Sequence, residues 1–311
     1  MKKILYLLIT MSLIVFGCAK ANDPYQEEHK MNVVHTFTTQ GDPIQVDTSE
    51  DMLFIADDYA GYHIYNLNTG ALIKSANSYM FAGVPMPLQA KYINYFAPKK
   101  CLIVTNRLNS SNWQMEFFRL NDPANPQRID MASGNTVDLP NIIVKPSPDT
   151  SLADFVTYRG VRVGNMVKYG LINLDQQPPQ QDIYGIETNY PPQKIDVDDT
   201  NLFVSYGQVG VVVYDKETKA VKSRFDTPGE ALDVKGKAGY LYVADKQAGF
   251  HVYKLDSAMN ASKVFSYDTD GYAENVAVKG NYAAVSSTSG GVYLFDISNP
   301  DHTKLVDRLP M

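Results

Sequence analysis

The sequence predicts an all-β fold, and three observations carry that prediction. Short segments rich in valine, isoleucine, tyrosine and phenylalanine recur along the chain, separated by glycine, proline, asparagine and aspartate. No apolar pattern with the period of a helix extends over a useful length after residue 17. Four of the segments also align with one another without gaps, which indicates an internally repeated architecture.

Each aligned segment has the pattern of a strand, a tight turn with glycine at its exit, and a second strand that ends in an aromatic residue. One further strand precedes each pair and another follows it. A unit therefore contains four strands, which we name a to d from first to last. The aligned segments are 53–65, 202–214, 241–253 and 283–295.

Two weaker copies, which begin near Tyr92 and Asn141, fill the gap between the first and second of these segments. Six units of about 40–50 residues with four strands each predict a β-propeller of six blades over residues 33–311. A seventh blade is possible only if one unit escapes the alignment. Residues 33–38 look like an extra d strand that could pair with the last blade. Which terminal strand closes the ring is left open.

The last unit carries a recognisable family pattern. Residues 281–287, 291–300 and 304–307 resemble the LVIVD repeat of bacterial surface and envelope propellers, and residues 241–245 and 121–126 fit the same pattern. The resemblance covers residues 33–311 and implies the propeller fold. It implies no activity, because a fold hosts many functions.

The first 17 residues are predicted to be a signal peptide. Lys2 and Lys3 precede an apolar run that is too short for a comfortable membrane span. The four residues ending at Cys18 (Val-Phe-Gly-Cys) resemble the lipobox of bacterial lipoproteins. The resemblance implies cleavage before Cys18 and attachment of acyl chains such as palmitate to it. An ordinary signal peptide with an incidental cysteine is the alternative.

This reading places the chain in the bacterial cell envelope, held to the membrane by a lipid on Cys18. Residues 18–32 are the lipidated cysteine and a polar, flexible tether. Ala19 follows the cysteine where an aspartate would resemble an inner-membrane retention signal, which favours the outer membrane. The side of the membrane that the body faces is left open.

Composition excludes several classes of function. The net charge of −6 argues against nucleic-acid binding, which needs a basic surface. Two cysteines cannot build a disulfide framework or a cysteine-rich metal site. Cys101 lies in an apolar segment and is expected to be a buried, inert thiol.

The predicted partner-binding patch lies on three long connections of adjacent blades. These are residues 77–87, 106–113 and 158–168, and all three emerge on the face that carries the b–c and d–a loops. Aromatic and arginine side chains are enriched at binding hot spots. The alternative is that these loops pack against themselves and have no binding role. The predicted patch residues are Tyr79, Phe81, Arg107, Trp113, Arg159 and Arg162.

A second candidate site surrounds the mouth of the central channel, where the a strands begin. Four polar side chains fall at similar offsets there and could form a ring for a cation or a basic group. A solvated pore is the plainer interpretation. The residues are Asp42, Gln193, Glu230 and Glu274.

Catalysis finds little support in the sequence. No nucleophile elbow, paired metal-binding histidines, phosphate loop or dinucleotide fingerprint is present. His63 and His251 occupy the same position in blades that are two apart. Stacked sheets lie about 10 Å apart, so the two histidines are separated by about 20 Å and one metal ion cannot bridge them. Asp57 and Asp245 are expected to brace turns.

Three functions follow from this reading. The first is a non-enzymatic, lipid-anchored module that binds an envelope protein or glycan and needs no cofactor. The second is an assembly scaffold, because residues 60–70 are similar to repeats of the propeller lipoprotein in the outer-membrane protein assembly machinery. The third is a propeller hydrolase or lactonase with a metal in its pore.

Overall fold

The computed structural model describes residues 31–109, 113–134, 142–147, 153–161, 165–176 and 181–310. The described residues form six four-stranded antiparallel sheets and one two-stranded hairpin. Each four-stranded sheet consists of four strands that are consecutive in the chain. The predicted propeller of six four-stranded blades is therefore confirmed.

The chain order of the strands follows the blade order, with the hairpin between blades one and two. Two single 3₁₀ turns, Ala97–Lys99 and Pro300–His302, are the helical segments of the described part. Neither has the length and apolar character that a membrane span requires. Blade one consists of β1 Gln45–Thr48, β2 Met52–Ala56, β3 Tyr62–Asn66 and β4 Leu72–Ala76, and the hairpin after it consists of β5 Ser78–Phe81 and β6 Val84–Pro87. Blade two consists of β7 Ala90–Phe96, β8 Cys101–Arg107, β9 Trp113–Arg119 and β10 Gln127–Gly134, and blade three of β11 Ile142–Pro146, β12 Phe155–Val161, β13 Met166–Ile172 and β14 Gln181–Glu187. Blade four consists of β15 Ile195–Val197, β16 Asn201–Ser205, β17 Val211–Asp215 and β18 Val221–Phe225, blade five of β19 Asp233–Lys237, β20 Tyr240–Ala244, β21 Phe250–Leu255 and β22 Ala261–Tyr267, and blade six of β23 Ala273–Lys279, β24 Tyr282–Ser287, β25 Gly291–Asp296 and β26 Lys304–Leu309.

Apolar clusters between neighbouring blades form the core. Five such clusters join blade one to two, two to three, three to four, four to five and five to six. The middle strands of blade four are therefore buried on both faces, and in blade one the segment that contains Phe37 covers the second face, which explains why β17 and β3 lack polar alternation. Phe250 of blade five shows the packing, since its ring centroid lies 4.7 Å from that of Phe295 in blade six.

The repeated glycine has a steric cause. Gly61 opens β3 with a φ of 80°, and a Cβ there would lie 2.0 Å from the carbonyl oxygen of Ala76 at the end of β4. A side chain would meet both a strained backbone and a neighbouring strand. The equivalent glycines Gly210, Gly249 and Gly291 share this conformation and this close approach.

Two kinds of polar interaction link successive blades. Side chains on the a strands accept hydrogen bonds from main-chain amides of the next a strand, as Gln45 does from Ile93 at 2.8 Å and Asp196 does from Gly236 at 2.8 Å. In addition, a b–c turn forms a short antiparallel bridge with the start of the next a strand. The bridges are Asp58 with Ala90, Gly207 with Ala231, and Lys246 with Ala273.

The segment before blade one differs from the extra d strand that its sequence predicts. Residues 33–38 form no strand, and β26 is the fourth strand of blade six without them. Phe37 instead packs on Tyr65 of blade one, with ring centroids 4.9 Å apart, and the Tyr65 hydroxyl donates to the carbonyl of Thr38 at 2.7 Å. The expected pairing with blade six was wrong, because the segment covers an apolar face of blade one.

Candidate functional site

The bridges between b–c turns and a strands define one face of the propeller, which we call the upper face. Here the b–c turn of one blade meets the d–a connection that leads into the next blade. The connections are short because main-chain hydrogen bonds close them, as between Asp57 and Gly61. Side chains in these turns consequently point away from the sheets or across to the next blade.

Three exposed tyrosines stand on the upper face, each beside a cation from a neighbouring element. Tyr59 in the b–c turn of blade one is 77% exposed and lies under the Lys91 ammonium at 5.8 Å. Arg224 lies 5.4 Å from the ring centroid of Tyr190, and Lys246 lies 5.6 Å from that of Tyr272. A cation at this distance attracts the ring and orients it, while the remaining ring surface stays open to a ligand.

Ion pairs fix two of these cations. The Lys91 ammonium lies 2.7 Å from an Asp58 carboxylate oxygen, and the same oxygen accepts a hydrogen bond from the Gln89 side chain at 2.6 Å. The Lys246 ammonium lies 3.0 Å from Glu230. Tyr59 and Tyr272 therefore lie beside cations that are held by ion pairs, which lowers the entropy that these two side chains would lose on binding a partner.

Three members of the predicted patch are buried, and two of them, Trp113 and Arg159, lie against each other. Trp113 begins β9, packs between blades two and three, and is 6% exposed. Arg159 in β12 is 1% exposed, and its guanidinium lies 5.2 Å from the centre of the Trp113 ring. Burial lowers the pKa of Arg159 to about 10. The prediction that Trp113 and Arg159 lie in loops was wrong, because both belong to strands that extend further than the sequence pattern indicated.

The remaining patch residues have separate surroundings. Arg107 is exposed at the end of β8, and its Nε donates to the carbonyl of Asn109 at 3.2 Å. Arg162 lies outside the described residues. Tyr79 is buried, and Phe81 is half exposed at the tip of the hairpin.

The hairpin is held to blade two through Arg128 of β10. The Arg128 guanidinium lies 5.0 Å from the Tyr79 ring and 5.4 Å from the Phe81 ring, and its Nε is 2.8 Å from the buried Glu116 carboxylate. Burial, reinforced by the charge of Glu116, raises the pKa of Tyr79 to about 12. The structure thus brings Tyr79 and Phe81 together through Arg128, a residue that the sequence analysis did not select.

The predicted pore ring does not occupy one equivalent position. By strand register, Asp42 and Glu230 precede the bridge position of the a strand, whereas Gln193 and Glu274 follow it. A β-bulge at the start of β23 contributes to this offset for Glu274. Asp42 and Glu274 are exposed, while Glu230 is engaged with Lys246.

A charged cluster that the sequence analysis missed lies on the a strands of blades four to six. The Asp233 carboxylate lies 3.4 Å from the Lys235 ammonium and 3.5 Å from the Lys194 ammonium, and Lys194 also donates to Asn275 of blade six. Burial would lower the pKa of Lys235, but the Asp233 and Asp196 carboxylates together raise it. The carboxylates of this cluster are thus balanced by lysines.

The two buried aspartate–histidine pairs brace the preceding connection. Asp57 accepts hydrogen bonds from the amide of Gly41 at 2.9 Å and lies 2.8 Å from His63 Nε2. Asp245 accepts from the Thr227 hydroxyl at 2.6 Å and from the Gly229 amide at 2.8 Å, and His251 lies 3.3 Å away. Asp57 therefore fastens the segment before blade one to that blade, and Asp245 fastens the d–a connection between blades four and five to blade five.

Other candidate chemistry is sparse in the described part of the chain. Cys101 is fully buried, and burial raises the pKa of its thiol to about 12, so the reactive thiolate is scarce at neutral pH. Within the ranges that the structure describes, no three histidine, cysteine or carboxylate side chains cluster as metal ligands would.

Sequence reasoning missed Tyr59, Tyr190 and Tyr272 because their turns are short and carry no long loop. One signal was available, since all three directly follow or precede glycine, asparagine or aspartate in a predicted connection. The cations that face them come from other elements. That pairing depends on the arrangement of neighbouring blades, which the sequence pattern does not contain.

Comparison with known proteins supports the repeat and the fold. The LVIVD repeat model matches residues 228–253 and 270–309, which confirms the resemblance in blades five and six. No curated protein matches the chain significantly.

Solved propellers superpose on most of the chain. The β-propeller domain of Cps50 (Swd1) from Myceliophteria thermophila has 11% identity and a TM-score of 0.65, and the match covers 89% of each chain. U3-55K has 10% identity and a TM-score of 0.67, covering 88% of this chain and 83% of that one. A Bacteroides fragilis protein provisionally described as a 6-phosphogluconolactonase has 12% identity and a TM-score of 0.62, covering 86% and 84%. At these identities the similarity shows the fold alone.

Proposed function

We propose that this LVIVD-repeat β-propeller is a non-enzymatic binding module of the bacterial envelope, which takes its partner on the upper face. The observation that carries the proposal is the set of three exposed tyrosines, each oriented by a cation. They stand at the junctions of blades one and two, three and four, and five and six. A partner that spans these junctions contacts rigid, preoriented aromatic side chains.

The partner is a protein in our proposal. Beside the tyrosines, the b–c and d–a connections expose the aliphatic and sulfur side chains Met80, Val84 and Leu108 together with Phe81. Mixed apolar and aromatic surface with arginine nearby is typical of protein interfaces. A glycan would also stack on the tyrosine rings, and the experiment below separates the two.

The hydrolase alternative gains no support from the site. Asp233 of the a strands is paired with Lys194 and Lys235. The lactonase-like structure shares the fold at 12% identity, which carries no information about chemistry.

A triple variant tests the upper face. We expect Tyr59→Ala, Tyr190→Ala and Tyr272→Ala in one chain to reduce recovery of the partner from cross-linked cells by at least about tenfold, because the aromatic anchors are lost. The matched control is Leu72→Ala with Val221→Ala, two exposed apolar residues outside the upper face. Unchanged recovery by the triple variant would contradict the proposal. Loss of the captured species on protease treatment of the envelope identifies a protein, and loss on glycan digestion identifies a glycan.

Anchoring through Cys18 is the second part of the proposal, and it lies outside the described residues. We expect Cys18→Ser to abolish labelling by a palmitate analogue and to release the chain from the membrane fraction, because stable anchoring needs more than one acyl chain and all of them would be attached at Cys18. Cys101→Ala is the control and should leave labelling unchanged. A Cys18→Ser chain that stays labelled and membrane-bound would refute the anchor.

A further inference from the structure

The hairpin between blades one and two stands apart from the rest of the upper face. Within the described residues, its strands β5 and β6 pair only with each other. A tight turn of Ala82 and Gly83, both with positive φ, joins the two strands. Around this turn, Met80, Phe81 and Val84 are 60%, 50% and 55% exposed. The hairpin therefore ends in an apolar turn, and we call these five residues the hairpin tip.

The composition of this connection is unlike that of the rest of the chain. Residues 75–90 carry no charged side chain, although 20% of all residues are charged. Apolar side chains that stay exposed in water forgo the free energy of burial. Contiguous apolar surface of this kind marks a site of contact with a protein or a membrane. The main chain and the surroundings of the hairpin favour the second of these.

The main chain of β6 is suited to an apolar environment. Hydrogen-bonded and unbonded pairs alternate along an antiparallel ladder. The Leu88 amide donates to the carbonyl of Asn77 at 2.8 Å, so the pairs that contain Pro85 and Pro87 are unbonded ones. Proline has no N–H group, and β6 consequently presents no main-chain donor on its outer edge. This edge can enter a bilayer without leaving a donor unpaired there.

Side chains at the base of the hairpin are of the kinds that are enriched at a membrane–water interface. The Arg128 guanidinium lies 5.4 Å from the Phe81 ring and is paired with Glu116. Tyr59 in the adjoining b–c turn is 77% exposed, and Arg107 is exposed at the end of β8. Tyrosine and arginine direct an apolar body towards acyl chains and keep a polar end in the headgroup layer. The base of the hairpin thus suits headgroups, and its tip suits acyl chains.

The charges of the upper face confine membrane contact to the side of blades one and two. Asp226, Asp268 and Glu274 are exposed in the connections that lead to blades five and six. Anionic lipids repel carboxylates, and the net charge of the whole chain is −6. The propeller therefore meets a membrane with the hairpin first and with blades five and six turned away from it.

We propose that the hairpin tip inserts into the lipid bilayer to which the chain is anchored. The proposal rests on the proposed anchor at Cys18, because a small apolar contact holds a protein to a membrane only together with a second attachment. Residues 19–30 separate that cysteine from the described part of the chain, and fully extended they span about 40 Å. This length allows the upper face to reach the same membrane. A protein partner of the upper face then lies in or on that membrane, beside the hairpin.

Fluorescence from a single position tests the insertion. The full lipidated chain with Phe81→Cys is labelled with an environment-sensitive dye and added to vesicles of phosphatidylethanolamine and phosphatidylglycerol, in which some lipids carry a nitroxide quencher on an acyl chain. We expect the emission of the dye at position 81 to shift to the blue and to be quenched. The matched control carries the dye on Leu72→Cys, which has similar exposure outside the upper face and should show neither change. The unsubstituted chain reports any dye bound at another cysteine.

Flotation of the same samples separates this proposal from the anchor. Chains that float with the vesicles while the dye at position 81 stays unquenched overturn the insertion and leave the anchor intact. Chains that do not float refute the anchor, and the unquenched dye then overturns the insertion as well. A dye that is protected in intact cells but unquenched in vesicles assigns the hairpin tip to a protein interface, which also overturns the insertion.

A charged hairpin tip gives a second measurement. Phe81→Asp with Val84→Asp in the lipidated chain should lower its affinity for the vesicles by at least about tenfold, because two carboxylates would have to leave water. Leu72→Asp with Val221→Asp is the matched control and should leave the affinity unchanged. All four side chains are exposed, so the substitutions are expected to preserve the fold, which circular dichroism checks. Equal affinities of the two folded variants would overturn the proposal.

Discussion

Replacing Phe250 with alanine is expected to lower the free energy of unfolding by about 3–5 kcal/mol, the usual cost of removing a fully buried aromatic ring. Phe250 is completely buried between blades five and six, with ring contacts to Tyr242, Phe265 and Phe295. The surrounding strands are fixed by their ladders, so they cannot collapse into the space. Denaturant unfolding of the full chain measures the change.

Val292→Ala is the matched control, because Val292 occupies the same repeat position in blade six and is partly exposed. Its cost should be below about 1 kcal/mol, since an exposed methyl group contributes little. Equal effects at the two positions would contradict the difference in burial between Phe250 and Val292.

Asp245→Ala should cost about 3–5 kcal/mol, the range found when one partner of a buried charged network is removed. The carboxylate is fully buried, accepts hydrogen bonds from the Thr227 hydroxyl and the Gly229 amide, and lies 3.3 Å from His251. Alanine leaves the hydroxyl and the amide without their acceptor in a site with little access to water. Thermal or denaturant unfolding measures the loss.

Asp268→Ala serves as the control for Asp245. Asp268 is an exposed aspartate in the connection that follows β22, and its removal should change stability by no more than about 0.5 kcal/mol. Asp245→Asn keeps the shape and one acceptor oxygen, so it should fall between the two. If Asp245→Ala unfolds like the control, the network does not brace the d–a connection.

Much of the blade architecture was predictable because each unit repeats a local physical requirement. Gly249 recurs at its position because a backbone with positive φ approaches the carbonyl of Tyr267, and no other residue fits. The apolar runs around it are buried on both faces, and they therefore lack the alternation of a strand with one solvated side. A requirement that recurs in every unit is visible in a single sequence.

Strand ends were less predictable, and the candidate site depended on them. The sequence analysis placed residues 106–113 in a long connection, but Asn106 continues the second strand of blade two and accepts a hydrogen bond from the Gln89 amide at 2.8 Å. Arg107 then pairs with Trp113 at the end of the ladder, which carries the tryptophan into the core. The residues of such an extension are polar because their side chains form hydrogen bonds to a neighbouring connection. Their sequence therefore has the pattern of a loop although they belong to a strand.

Residues that depend on two blades at once could not be found from the sequence. The pairing of Tyr272 with Lys246 joins the connection before blade six to a turn of blade five. Likewise, Val46 is 56% exposed although its strand pattern matches that of the buried Val234. Such relations are set by packing between blades.

Photo-cross-linking from single positions in intact cells tests the binding role of the upper face most directly. A photoreactive phenylalanine analogue replaces Tyr59, Tyr190 or Tyr272 in turn, and the same analogue replaces Leu72 or Val221 as the control. The account predicts that the three upper-face positions give an adduct with the same partner and that the control positions give none. Adducts from Leu72 or Val221, with none from the three tyrosine positions, would contradict it.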